Sequence, residues 1–394
     1  MTERRARGSG SVYRRGDGYF VAAIPLPPSA LGVRRRDVVV RKKESDARRE
    51  LRRMRAELER SGDIPDRVPT VEVWMETWIT RGLETGSLRP RTAEGHAGYV
   101  RRYVSPTIGR YRLDKLTAAH VERMTSHMVN ELGLSPTTAL QAHNIVKGAL
   151  KAAMRAGHVS RNVAQLAQAP RKAFHKPRAM PISQAVQLLD WAHSQDAITD
   201  VRVNIAIWSG LRQGEALGLT REHVDMDAGF IHVVWQLQSL KTAPGKTMNS
   251  RHLGGSYYLT PPKSESGVRR VPIATPLMSV LERRLAEMPD DPQAFFITAP
   301  EGGPLEASRD SKRWHQYLDA AGVEQIKLHE ARHTTATLMR AAGVDMLGIK
   351  NIVGHSAASM TEHYAHPLSA EDIANMARLA ASMDAARGAL RIEG

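Results

Sequence analysis

Two short stretches constrain this chain more than any other feature. GDIPDRVP (62–69) and PRKAFHKP (170–177) each carry prolines and charges and have no hydrophobic period, so neither can run on as a helix or sheet strand. The 394 residues are too many for one ordinary core. The two stretches therefore read as linkers, and three domains are predicted: 1–63, 69–172 and 178–394.

The first segment alternates like short strands. Val12-Tyr13, the turn Gly16-Asp17-Gly18, Tyr19 to Ile24, a proline-rich loop and Asp37 to Arg41 predict a three-stranded sheet. Ser45 is read as the N-cap of a helix with Ala47, Leu51, Met54 and Leu58 on one face, and Gly62 as its end. Arg14, Arg15, Arg34, Arg35, Arg36 and Arg41 make this a basic module suited to laying a sheet against DNA. The second segment reads as helical throughout. Thr70 caps a helix with Trp74, Met75, Trp78 and Ile79, and another helix covers about 90–104. Thr117 caps a third with Val121, Met124, Met128 and Leu132, and Ser135-Pro136 opens a fourth. The Trp and Met stripes recur at helical spacing and read as core.

The third segment mixes helices and strands. Ser183 is read as a cap for Ala185–Ala192, and Val201–Ser209 as a second apolar helix. Phe230–Leu237 alternates as one strand, Tyr257–Thr260 and Val268–Ile273 flank PPKSESG as a β-hairpin, and helices return from Pro276. The fold class is thus multidomain: a small sheet-plus-helix module, an all-α helical domain and a mixed α/β domain.

Charge narrows the function. Lys and Arg number 56 against 41 Asp and Glu, a net of +15, which favours a polyanionic partner. A membrane is the other polyanion, yet no apolar run approaches the roughly 18 residues a spanning helix needs. The first residues, MTERRARGSG, lack the apolar core of a secretory signal. With no cysteine there are no disulfides, thiolate metal sites or cysteine nucleophiles. A soluble, intracellular protein associated with nucleic acid is expected.

Residues 328–337, LHEARHTTAT, can be read in two ways. His329-Glu330-Ala331-Arg332-His333 spells the H-E-x-x-H of a zinc protease, in which two histidines one turn apart hold the metal. No third ligand stands where the extended form of that motif places it, and an arginine would sit beside a dication. The same letters also spell His-x-x-Arg-His-Thr. That second spelling joins Arg212 and Glu215 in GLRQGEALGL, Lys263 in TPPKSESG, His355 in IVGHSA and Tyr364 in TEHYAH.

This ordered set resembles the tyrosine recombinase (phage integrase) family over 178–370, and the helical segment before it resembles that family's core-binding domain. Ala331 and Val353 stand where the family usually has leucine, and neither change removes a functional group. The resemblance implies a catalytic set of Arg212, Lys263, His329, Arg332, His355 and Tyr364, supported by Glu215 and His333, with no metal and no cofactor. Tyr364 would attack phosphorus and hold the bond energy as a 3′-phosphotyrosine. His329 would take its proton, Lys263 would protonate the leaving 5′ oxygen, and Arg212, Arg332 and His355 would bind the phosphate. It further implies partners: core and arm attachment sequences in double-stranded DNA, a tetramer of this chain on DNA, a directionality factor and a host DNA-bending protein. The tail from Ser369 to about Arg387, with Ile373, Met376, Leu379 and Met383, reads as an amphipathic helix that docks either on a neighbouring copy, as the resemblance implies, or on its own domain. A recombinase that resolves chromosome or plasmid dimers, and a silent DNA-binding regulator, are the alternative readings.

Overall fold

The computed structural model describes residues 10–26, 35–61, 68–172, 178–245, 248–262, 267–354 and 370–393. The chain divides into two compact units, Met1–Trp78 with Tyr99–Arg171, and Ile79–Gly98 with Lys172–Gly394.

At the N-terminal end, strands β1 (Ser11–Arg14), β2 (Phe20–Leu26) and β3 (Arg35–Arg41) form an antiparallel sheet in that order. Helix α1 (Glu44–Ser61) covers one face. Ala22, Ile24 and Val39 meet Ala47, Leu51 and Met54 in a small core, so the predicted helix stripe is the buried one. Ser45 does not cap this helix. The Ala47 amide already closes a turn onto the Lys43 carbonyl, which leaves Ser45 inside the first turn. Gly62 and the proline-rich loop lie outside the described residues.

The helical segment begins with α2 (Val71–Glu84) and α3 (Pro90–Tyr99). The latter runs on as a π-helical stretch, Val100–Gly109, past the end expected from the sequence. Then follow α4 (Ala118–Asn130), α5 (Pro136–Arg155) and the short α6 (Val163–Leu166). The Thr117 hydroxyl accepts from the His120 amide at 3.4 Å and Ser135 from Thr138 at 3.2 Å, the N-caps read from the sequence. Trp74, Met75, Met124 and Met128 are buried, and the Trp74 indole donates to the Ala149 carbonyl at 2.8 Å. Leu132 is exposed instead, because the Glu131 and Leu132 amides both close onto the His127 carbonyl and end α4 before it.

The second unit holds the largest core. Its helices are α7 (Ile182–His193), α8 (Ala197–Asn204) with a π-helical turn at Ile205–Ser209, and α9 (Gln213–Leu217). After the strands come α10 (Thr275–Glu287), α11 (Ala307–Ala320), α12 (Leu328–Ala341), α13 (Met346–Val353) and α14 (Ala370–Glu393). Pro181, not Ser183, stands at the N-cap of α7, where it loses no helical amide.

The strands correct two expectations. Phe230–Leu237 is not one strand: β5 (Phe230–Val233) and β6 (Gln236–Ser239) belong to different sheets, after the short β4 (Val224–Asp225). The hairpin around PPKSESG is also absent among the described residues. Strand β8 (Tyr257–Thr260) pairs with β6 and with β7 (Arg251–His252), whereas β9 (Arg269–Pro272) pairs with β5. Both β8 and β9 run antiparallel to the 230–239 segment, so they point the same way along it and cannot pair as a hairpin.

Helix α14 packs within its own unit, one of the two arrangements expected. Met376, Leu379 and Met383 are buried in the main core, against helices that include α7, α12 and α13. Of that stripe only Ile373 is exposed.

A buried ion pair fixes the start of α9. Arg202 forks onto Asp310 at 2.7 and 2.9 Å with both side chains almost wholly enclosed, and the Gln213 amide donates to the same carboxylate at 2.9 Å. Asp310→Ala is expected to lower stability by about 3–5 kcal/mol, because it strands a buried guanidinium. Urea unfolding measures this, and an unchanged midpoint would contradict it.

Candidate active site

The backbone brings the site together through two irregular turns. The π-helical turn at Ile205–Ser209 leaves carbonyls outside the usual helical pattern. The Thr335 hydroxyl of α12 lies 2.8 Å from the Ile207 carbonyl and 3.2 Å from that of Ala206. Gly210 then takes a left-handed conformation, φ 59°, and reverses the chain into α9. Its carbonyl accepts from Arg332 at 2.7 Å.

Gly354 makes the second turn, at φ 72° after α13, and glycine is required there twice over. A Cβ would be strained at that φ and would also lie 3.0 Å from the Arg269 side chain. The Gly354 carbonyl accepts from Arg212 at 2.8 Å and from Arg332 at 3.1 Å. Two guanidiniums from separate elements thus converge on one oxygen, next in the chain to His355.

Glu215 is the counterweight. Its carboxylate accepts from Arg212 through the guanidinium at 2.6 Å and the backbone amide at 3.0 Å, and from Arg269 at 3.0 Å. Burial alone would raise its pKa, yet Arg269 and Arg212 outweigh that and hold it below the usual value. Arg332 is only 3% exposed. Burial, then repulsion from Arg212 and Arg269, lowers it to about 9, with Glu215 only partly offsetting them. Three guanidiniums around one carboxylate leave the site net positive and short of an anion.

His329 begins the first turn of α12 with its ring edge-on to His333, centroids 5.0 Å apart. Desolvation, then the nearby His333, Arg332 and Arg212, pushes its pKa below the usual imidazole value, which favours the neutral ring. Glu330 acts locally. Its carboxylate accepts from the Lys327 amide at 2.8 Å and the Arg178 amide at 3.4 Å, tying α12 to the segment before α7.

Of the residues singled out in the sequence, Arg212, Glu215, His329, Arg332 and His333 are brought together here. Lys263, His355 and Tyr364 lie outside the described residues. Sequence reasoning missed Arg269: it stands in β9, and its guanidinium joins Glu215 to the Ile352 carbonyl at 3.0 Å. The signal available was period two in GVRRVPI, which turns Arg269 inward and Arg270 outward.

The basic residues of the N-terminal module are spread out. Arg14 lies over the Phe20 ring at 6.0 Å, Arg15 pairs with Asp17 in the β1–β2 turn, and Arg41 reaches Glu50 at 3.4 Å. Arg36 is exposed, Arg35 is in β3, and Arg34 lies outside the described residues.

Glu215→Gln is expected to cost about 3–5 kcal/mol above pH 4.5, because Arg269 is then buried without its countercharge. The folded pKa of Glu215 is depressed, so the stability it contributes is present above 4.5 and lost as pH falls through the folded value. The gap between variant and native protein should therefore close in acid. Urea midpoints across pH measure it; a gap that widens in acid would contradict the assignment.

Residues 178–371 match the family model described as the phage integrase family. The chain is similar to an integrase of Saccharopolyspora erythraea, 26% identical across 93% of this chain and 95% of that one. It is similar to a XerC-like tyrosine recombinase of Caldanaerobacter subterraneus, 23% identical across 74% and 78%. Among solved structures, the Tn1549 transposon integrase in complex with a circular intermediate DNA shares the fold at a TM-score of 0.60, with 22% identity across 79% of this chain and 99% of that one. Through residues 178–371, this chain belongs to the phage integrase family, the tyrosine-type site-specific recombinases.

Proposed function

We propose that this recombinase cuts and rejoins double-stranded DNA at attachment sites to integrate and excise a mobile element or phage genome. The observation that carries the reading is the convergence of Arg212 and Arg332 on the Gly354 carbonyl within a cluster of excess positive charge. A phosphodiester bears one negative charge and its five-coordinate transition state bears more. A net-positive, preorganised cluster therefore favours the transition state over the ground state.

The steps balance without any added reactant. The Tyr364 oxygen bonds to phosphorus, its proton passes to neutral His329, and the bond to the 5′ oxygen breaks as Lys263 supplies a proton. Reversal by the 5′ hydroxyl of another strand completes the exchange. His355 adds a hydrogen bond to the phosphate. In this scheme Glu215 orients Arg212, and His333 supports His329.

We assign residues 1–63 to an arm-type DNA-binding module, 69–172 to the core-binding domain and 178–394 to the catalytic domain. The sheet with α1 and its own small core supports the first assignment. The integrase relative, aligned over 93% of this chain, supports integration. The XerC-like relative keeps dimer resolution as the second reading. Four copies on two duplexes, a directionality factor and a bending protein complete the assembly proposed.

Tyr364→Phe should bind DNA normally yet trap no covalent complex on a nicked duplex built from the element's junction with its flanking DNA. An adduct of undiminished yield on a denaturing gel would overturn the nucleophile. For the native protein, the acid limb of single-turnover cleavage should lie below the ordinary imidazole range, as His329 gains its proton. An acid limb centred above pH 7 would contradict that base. A protein beginning near residue 64 should still cleave the core site but lose integration, and full integration by it would favour dimer resolution.

A further inference from the structure

The segment carrying Lys263 leaves the ladder after β8 and returns at β9, with both of its ends pinned. Thr260 pairs with Gln236 and Arg269 with Val233, so only Val234 and Trp235 separate the same positions on the opposite strand. Eight residues, 261–268, thus join positions that two residues separate on the opposite strand. At the two ends of this segment the chain is pinched: a Cβ on Gly267 would lie 2.5 Å from the Pro262 Cβ, so only a glycine lets the two ends touch. Arg89 donates to the Pro261 and Pro262 carbonyls at 3.4 and 3.3 Å, and Arg269 donates to the Gly267 carbonyl at 3.1 Å.

Arg269 is the common member. Through its other nitrogens it binds Glu215, which holds Arg212, and the Ile352 carbonyl in the last turn before Gly354. Its side chain also lies against Gly354, so closely that a Cβ there would fall 3.0 Å away. One enclosed guanidinium thus touches the base of the Lys263 segment, the carboxylate beneath the phosphate clamp, and the turn that leads to His355. A planar fork can serve three acceptors in fixed directions; a lysine ammonium on a flexible stem cannot.

We propose that Arg269 is a positioning residue for the general acid: it fixes the base of the Lys263 segment in register with the Arg212–Arg332 clamp, and the Gly267–Pro262 contact closes that base. This rests on the reading of Lys263 as the acid. The acid's proton goes to the 5′ oxygen as the phosphorus–oxygen bond breaks. A misplaced acid slows that bond cleavage and leaves nucleophilic attack and phosphate binding intact.

The test uses full-length protein and the nicked junction duplex in two forms, one natural and one with sulfur in place of the scissile 5′ oxygen. Sulfur leaves as a thiolate and needs no proton. Lys263→Ala should lose on the order of a hundredfold or more in cleavage of the oxygen substrate and recover on sulfur. Arg269→Lys and Gly267→Ala should each lose roughly tenfold to a hundredfold on oxygen, as for a small misplacement, and also recover on sulfur. Gly267→Ala keeps both members of the buried ion pair, so it carries the test if Arg269→Lys does not fold. If Lys263→Ala recovers on sulfur while Arg269→Lys and Gly267→Ala remain slow on both substrates, their role is merely structural and the inference fails. Native rates on oxygen for both variants also overturn it. If Lys263→Ala itself does not recover on sulfur, the acid assignment is the part that fails, and the positioning role falls with it.

Discussion

The enclosed Glu215 carboxylate, gripped by Arg212 and Arg269, is the interaction on which the rest of the second unit depends. Ion pairs this deep contribute little net stability, because desolvation consumes most of their attraction. Here the balance is worse than neutral: Arg332 brings a third positive charge with no carboxylate of its own among the described residues, and its lowered pKa records the strain. Backbone carbonyls offset part of that charge with partial charges from Gly210, Gly354, Ile352 and Gly267. The fold tolerates an anion deficit, which the proposed DNA phosphate would relieve.

Carbonyls serve this purpose only where the backbone departs from regular structure, since helices and sheets use their own acceptors internally. The π-helical turn before Gly210 and the left-handed turns at Gly210 and Gly354 are those departures. Their placement follows from packing: α12 lies on the π turn through Thr335, and α13 lies near β9, which delivers Arg269 beneath Gly354. The apolar core around these elements fixes three arginines to within hydrogen-bonding distance, which a surface site could not do.

Much of this is legible in the sequence because the functional groups lie in local patterns. Arg212 and Glu215 are one helical turn apart, and His329, Arg332 and His333 share another helix. Helix stripes such as Ala47-Leu51-Met54 are legible for the same reason. Long-range pairing is not. Tyr257–Thr260 and Val268–Ile273 look like a hairpin because alternation shows strands but not partners, and both segments in fact lie along 230–239. Arg269 stays hidden beside Arg270, since its value comes from an acceptor on α9 and another on α13. The α14 stripe shows an apolar face correctly and cannot show that the same chain covers it. The N-terminal arginines suggest one basic face, whereas Arg15 and Arg41 are occupied in part by Asp17 and Glu50.

The central claim is that the anion deficit at Arg212, Arg269 and Arg332 is matched to the transition state and not to the resting phosphodiester. Orthovanadate, which becomes five-coordinate between a tyrosine oxygen and a 5′ hydroxyl, offers a direct measurement on junction DNA that lacks the scissile phosphate and ends there in a 3′ and a 5′ hydroxyl. Dissociation constants would be taken with and without vanadate for the native protein and for Arg332→Ala. The expected result is that vanadate tightens the native complex by roughly a hundredfold or more, as transition-state mimics do, while the variant binds DNA nearly as well but gains little from vanadate. Equal tightening in both proteins would contradict the account.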